Sequence, residues 1–214
     1  LGHNDLRDKG GAAIIRGLKN NTTLHQLALR FNNLRANFGV AIQDDLANNT
    51  GLHTLYLGDN ELRDSGGAAI IRALKYNTTL RNLALQMNGF GENFGVAIQG
   101  DLTNNTGLHT LNLALNNFGE ASGAAFVEVL TQNSNLTTLG FGFNPPFPPA
   151  TLAKIKFALS PELKGLLNDP SVPPSRIPVC VVGFDNVGKT ELINTWHRTT
   201  AHDNPHLDPE ETAP

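Results

Sequence analysis

The sequence predicts an α/β fold: a curved solenoid with parallel strands on its concave side and helices on its convex side, joined to the first strand, loop and helix of a second α/β unit. Three observations carry this prediction. A Leu/Asn pattern returns every 28 residues from Asn4 to Asn144. Seven positions after each Asn stands a Gly, followed by apolar residues at helical spacing. A glycine loop ending in Gly-Lys-Thr follows a short apolar run at 178–182.

The repeat reads L-x-x-L-x-L-x-x-N. It occurs at Leu24, Leu27, Leu29 and Asn32, at Leu52, Leu55, Leu57 and Asn60, and at Leu80, Leu83, Leu85 and Asn88. It returns at Leu108, Leu111, Leu113 and Asn116 and at Leu136, Leu139, Phe141 and Asn144, while Asn4 marks the tail of a further unit. The alternating Leu predict a short strand with one buried face. The Asn closes the following turn, because its amide both donates and accepts and can satisfy loop backbone groups that the strand ladder leaves over. The glycines are Gly11, Gly39, Gly67, Gly95 and Gly123, and Ile14, Ile15 and Leu18, or Ile70, Ile71 and Leu74, continue as a helix.

Parallel strands stack about 4.8 Å apart and packed helices need roughly 8–10 Å, so a stack of such units curves with its strands inside. Residues 4–144 resemble leucine-rich repeats of the ribonuclease-inhibitor type, and the resemblance implies a horseshoe. A doubled period is also visible: "GGAAIIRGLKNNTTL" returns as "GGAAIIRALKYNTTL" and "NFGVAIQDDLANNTGLHTL" as "NFGVAIQGDLTNNTGLHTL". The unit is expected to have expanded as a two-repeat block.

Residues between the inward Leu should face the concave side: Gln26, Ala28 and Arg30, then Thr54, Tyr56 and Gly58, then Asn82, Ala84 and Gln86, then Thr110, Asn112 and Ala114. They are small and polar. The next position reads Phe31, Asp59, Met87, Leu115, Phe143, a partly apolar row along one rim. It suits a protein partner or another part of the same chain, with local packing against neighbouring turns as the alternative. The N-x-T sequons at Asn21, Asn48, Asn77, Asn104 and Asn135 are read as turn residues at a fixed repeat position rather than as glycan acceptors. His197, His202 and His206 lack the spacing of a metal site and read as a solvated tail.

Charged residues make up only 16% of the 214, and the net charge is −3. No basic footprint for nucleic acid follows, and no apolar run approaches the roughly 20 residues of a membrane span. A single Cys, Cys180, forms no internal disulfide and favours a reducing, cytoplasmic setting. The opening Leu1-Gly2-His3-Asn4 has neither Met nor a signal-peptide pattern, so the chain is expected to begin within a longer protein.

The repeats are assigned to 1–146. Then "PPFPPA" breaks the pattern, and 147–169, with "TLAKIKFALSPELKGLL", reads as one or two helices covering the open end of the solenoid. Residues 170–177 read as a Pro-rich, extended linker, and 178–214 are expected to begin a different domain. "PVCVV" reads as a strand buried on both faces, and Leu192, Ile193 and Trp196 after the loop stand at helical spacing. One strand and one helix cannot bury those side chains alone, so the rest of that domain is expected downstream.

Between them Gly183-Phe184-Asp185-Asn186-Val187-Gly188-Lys189-Thr190 satisfies G-x-x-x-x-G-K-[ST]. Phosphates need many donors at short range with no side chains in the way. Gly183 and Gly188 would permit the tight wrap, and the N–H groups from Asn186 to Thr190 are expected to point inward at a helix N-terminus. Lys189 is suited to bridge β- and γ-phosphates, and the Thr190 hydroxyl to ligate Mg²⁺.

Repeats followed at once by this loop, in "VVGFDNVGKTELI", resemble the Roco family, in which leucine-rich repeats precede a Ras-like GTPase domain called Roc and a dimerising COR domain. In NOD-like receptors the order is reversed. The resemblance implies GTP or GDP with Mg²⁺ as cofactor, a homodimeric parent, and in some members a later kinase domain. The DxxG and NKxD segments that sense γ-phosphate and select guanine are expected beyond Pro214. Two alternatives stay open: a non-catalytic interaction scaffold, and an ATP-binding regulator of another P-loop class.

Overall fold

The computed structural model describes residues 1–159. Helices and strands alternate along them: α1 (Arg7–Gly17), β1 (Gln26–Ala28), α2 (Ala36–Ala47), β2 (Thr54–Tyr56), α3 (Arg63–Leu74), β3 (Asn82–Ala84), α4 (Glu92–Thr103), β4 (Thr110–Asn112), α5 (Glu120–Gln132), β5 (Thr138–Gly140) and α6 (Pro149–Ala158). The strands form one 5-stranded parallel sheet in chain order. Leu27 pairs with Leu55, Leu55 with Leu83, Leu83 with Leu111 and Leu111 with Leu139. A fixed period in sequence thus becomes a straight column in space. Helices pack on consecutive helices and strands on consecutive strands, the near-neighbour arrangement of a solenoid.

The inward Leu of β1 to β4 and of the residues just after them are buried, together with Leu52, Leu80, Leu108 and Leu136. The predicted Asn residues run beside this core as a ladder. Asn60 accepts at Oδ1 from the N–H groups of Asn32 (3.0 Å) and Leu34 (3.1 Å) and donates from Nδ2 to the carbonyls of Leu29 (3.0 Å) and Leu57 (2.9 Å). Asn116 repeats the pattern with Asn88, Phe90, Leu85 and Leu113. Each amide therefore joins its own turn to the one before.

A second ladder lies at the other end of the strands. Asn49, Asn77, Asn105 and Asn133 are buried, and their Nδ2 atoms donate to Leu18, Leu46, Leu74 and Leu102, carbonyls at the end of each preceding helix. Leu18, Leu46 and Leu102 also accept from the N–H three residues on, at Asn21, Asn49 and Asn105, so the amide adds a second bond that ties each helix end to the turn one repeat later. The Oδ1 of Asn49 accepts from Gly51 and Leu52 N–H, turning the chain into the strand.

This ladder corrects the reading of the sequons. Asn21 and Asn77 lie on the repeat grid, whereas Asn48, Asn104 and Asn135 do not. Asn48 and Asn104 are exposed residues that follow helices and bond back to the carbonyls of Asp44 and Gly100. The position the fold requires is that of Asn49 and Asn105, one residue later.

The doubled period has a packing origin. A Cβ on Gly39 would overlap the Gly66 carbonyl, and one on Gly95 would sit 2.6 Å from Ser122 Cα, so α2 meets α3, and α4 meets α5, nearly backbone to backbone. Gly11 and Gly67 instead face rings: Phe38 lies 2.9 Å from a Cβ at Gly11, and Phe90 2.5 Å from one at Gly67. Small against small alternates with small against large, which takes two repeats to complete. Phe90 and Phe94 stack at 4.1 Å, and the aromatic run continues through Phe118 and Phe126 to Phe147. Phe147 and Ile155 are buried, and α6 packs on α5. The rest of the predicted cap, the linker and 178–214 lie outside the described residues.

Replacing Asn60 by Ala strands two buried N–H groups and at least one carbonyl. At about 1–3 kcal/mol for each orphaned group, Asn60→Ala should cost about 3 kcal/mol or more in denaturant unfolding, against about 0.5 kcal/mol or less for Asn48→Ala. In the same assay Gly39→Ala should destabilise by about 2 kcal/mol as two helices are forced apart. Gly100, which has nothing within 4 Å of an added Cβ, should gain roughly 0.5–1 kcal/mol when changed to Ala.

Candidate functional site

The concave face is largely engaged with itself. Asn82 donates to Thr54 Oγ1 at 3.2 Å, the Arg30 guanidinium lies 4.9 Å from the Tyr56 ring centre, and Asn112 Oδ1 accepts from the Ala114 N–H. Thr54, Gly58 and Ala84, expected to face outward there, are buried, and the Gln86 side chain lies over Gly58. Neighbouring side chains close over the smallest residues of the row.

The rim is different. His3, Phe31, Asp59, Met87, Leu115 and Phe143 occupy one position in successive units, and every one has a left-handed backbone, with φ of 60, 54, 59, 53, 56 and 58°. This conformation is natural to Gly and Asn and costs other residues on the order of 1 kcal/mol. The inter-repeat ladder holds it in place: Asp59 N–H donates to Gln86, Met87 to Ala114, and Leu115 to Gly142. Each of these residues directly precedes a ladder Asn. The left-handed turn sends the amide inward and leaves the preceding side chain outside.

What stands outside is apolar. Phe31, Met87, Leu115 and Phe143 are 46%, 47%, 45% and 86% exposed, so local packing, seen for Phe31 against His3, covers about half of the first three and leaves a large apolar face of each in solvent. Asp59 interrupts the row, and its carboxylate has no hydrogen-bond or ion partner among the described residues. His3 stacks on Phe31 at 4.2 Å and extends the ridge.

The opposite rim carries His25, His53, Arg81 and His109 at the same spacing. These groups are tied to their own backbone: His25 and His53 Nδ1 lie 3.1 and 2.9 Å from the Gly51 carbonyl, and Arg81 donates to Thr78 and Gly107. Beyond the first helix turn a cleft of about 700 Å³ is lined by Asp5, Arg7, Asp8, Asn33 and Arg35. Lys9 lines it too, the Arg35 N–H donates to Asp8 Oδ1 at 2.6 Å, and the Arg35 guanidinium lies 3.3 Å from Glu61. Asp5 accepts from Arg7 at 2.8 Å and from Asn33 at 2.6 Å, and these bonds, Arg7 first, hold its carboxyl below the usual range. No group of three metal-ligating side chains forms among the described residues. The phosphate-loop residues Gly183 to Thr190 lie outside them.

Comparison with known proteins bears on the repeats. The family model described as Leucine Rich repeat matches residues 48–70. The fold is similar to the leiomodin-1 actin-binding site 2, with a TM-score of 0.61 and 19% identity over 72% of this chain and 88% of that one. It is also similar to the tropomodulin C-terminal domain of Caenorhabditis elegans, with a TM-score of 0.58 and 11% identity over 75% and 95%. The chain carries leucine-rich repeats. No curated protein matches it in sequence. At these identities the likeness is one of fold, so the use of the ridge has to be argued from its own residues. No helix among the described residues is long and apolar enough to cross a membrane.

In the rim row of the leucine-rich repeats sequence and strain can be separated. Leu115→Gly relieves the left-handed cost of about 1 kcal/mol and adds roughly 0.4–1 kcal/mol of unfolded-chain entropy, so its thermal melt should match the parent's. Leu115→Val places a β-branched residue at positive φ and should lower stability by about 1 kcal/mol.

Proposed function

We propose that this protein is an interaction scaffold whose leucine-rich repeats hold a protein partner along the rim ridge. One observation carries the proposal: large apolar side chains stand exposed, at a backbone conformation that disfavours them, in four of five consecutive repeats. A turn needing only its shape would use Gly or Asn. On the concave face, by contrast, Asn82 is bonded to Thr54, Arg30 lies over Tyr56, and Asn112 accepts from the Ala114 N–H. One of the similar structures is an actin-binding site, which agrees with a protein-holding use of this fold without indicating which protein is held here.

The motif Gly183 to Thr190 favours a second, compatible reading. It supports Mg²⁺-dependent binding of guanine nucleotide in a cytoplasmic, homodimeric signalling protein of Roco type, with the ridge engaging a separate partner or a later part of the same chain. Its support is the apolar run before the loop, the helical spacing after it and the order of repeats then loop.

A photo-crosslinking side chain at position 115 of the intact parent protein should trap a protein or an intramolecular segment in cells, while the same group at Val96 on the convex side should not. Equal trapping at both positions, or none at 115, removes the docking reading. For the second reading, the intact parent should bind GTP only with Mg²⁺ present and lose that binding on Lys189→Ala; unchanged affinity would dismiss it.

A further inference from the structure

We propose that the ridge takes an amphipathic α-helix laid across the strands, presenting one apolar side chain per turn and a Lys or Arg at the turn facing Asp59. The proposal rests on the docking reading and specifies its partner. Its first ground is spacing. The strands are paired without stagger, so rim residues 31, 59, 87, 115 and 143 follow one another at the inter-strand distance of about 4.8 Å. A helix rises about 5.4 Å per turn, a slip of roughly 0.6 Å per repeat and about 2 Å over the whole row. An extended peptide repeats its side chains on one face every 6.6–6.8 Å or so, slips about 2 Å at each repeat, and falls out of step after one or two.

The second ground is charge. Asp59 stands between Phe31 and Met87 with a carboxylate that nothing among the described residues neutralises. A helix with apolar residues at every turn would leave it unpaired under an apolar cover, which costs more than it gains. A cation at that turn removes the penalty and fixes the register, since a one-turn shift would put the cation over Phe31 or Met87. Two copies of the ridge face to face do not offer this match, because the row contains no Lys or Arg.

The probe is a fluorescein-labelled, alanine-based peptide of about 18 residues, five turns, with Leu at every turn but one and Lys at the turn meant for Asp59. Binding to the 214-residue chain is read by anisotropy. The expected result is saturable binding that weakens at least tenfold for the Met87→Gly/Leu115→Gly variant, whose thermal melt shows that it remains folded. Asp59→Lys should weaken binding about threefold to fivefold, and exchanging the peptide's Lys for Glu should restore it. Equal affinity for a peptide of the same composition with Leu at alternate positions would overturn the helical occupant in favour of an extended one. A concentration-dependent dimer of the chain alone, dissolved by Leu115→Gly, would overturn it in favour of a second copy. Absence of saturable binding, or no recovery on charge exchange, would also end it. If the peptides fail while crosslinks at 115 persist, the docking reading survives and only the helix is lost.

Discussion

Everything in this solenoid depends on a buried amide that reaches between turns. A strand of three residues cannot satisfy the loop that follows it, and a parallel neighbour offers only its own short edge. Asn is short enough to fit beneath the turn and carries donor and acceptor on one planar group, so it can bond forward and back at once. Gln would overreach, and Asp would place an uncompensated charge in the core. Because each Asn closes on the unit before it, a change of length in any repeat breaks two sets of bonds. The period is therefore held by hydrogen bonding as much as by the spacing of Leu.

The ridge follows from the same constraint. For the amide to point inward, the residue before it adopts a left-handed backbone, and the side chain of that residue is left on the outer rim. The ladder creates the position and stabilises its strain through inter-repeat backbone bonds, but it leaves the choice of side chain open. That freedom is where function can be written onto a repeat whose other positions are committed. The concave face has less of it, because Thr54, Gly58 and Ala84 are covered by their neighbours.

Much of this was legible in the sequence. The Leu/Asn spacing gave the strand, the turn and the register, and Phe31, Met87, Leu115 and Phe143 could be placed on one rim before any coordinates. The left-handed strain at those residues was not legible, since no residue type there announces it; Gly would have, and Gly is what the row lacks. The second ladder is present in the letters, as Asn49, Asn77, Asn105 and Asn133 at equal spacing, but Asn48 and Asn104 stand beside two of its members, and residue type alone does not distinguish the buried Asn from the exposed one. The doubled period was visible without its cause. Knowing that Gly39 meets Gly66 while Gly67 meets Phe90 requires two helices in place, because contact between consecutive helices is not a property of either one.

The magnitude of the strain argues that the ridge is kept for use. Five non-Gly residues between Phe31 and Phe143, at about 1 kcal/mol each, amount to roughly 5 kcal/mol, comparable with the lower end of a domain's whole stability. Asn at the same sites, tolerant of this backbone without the chain entropy of Gly, would recover part of that cost while keeping every backbone bond of the ladder. Drift toward stability would therefore favour Asn, and drift toward solubility would favour polar side chains over Phe, Met and Leu. Neither is found at four of the five positions, and the fifth is an unpaired carboxylate. A row that opposes both pressures at once is what the proposed docking role, with the ridge covered for part of its existence, would require.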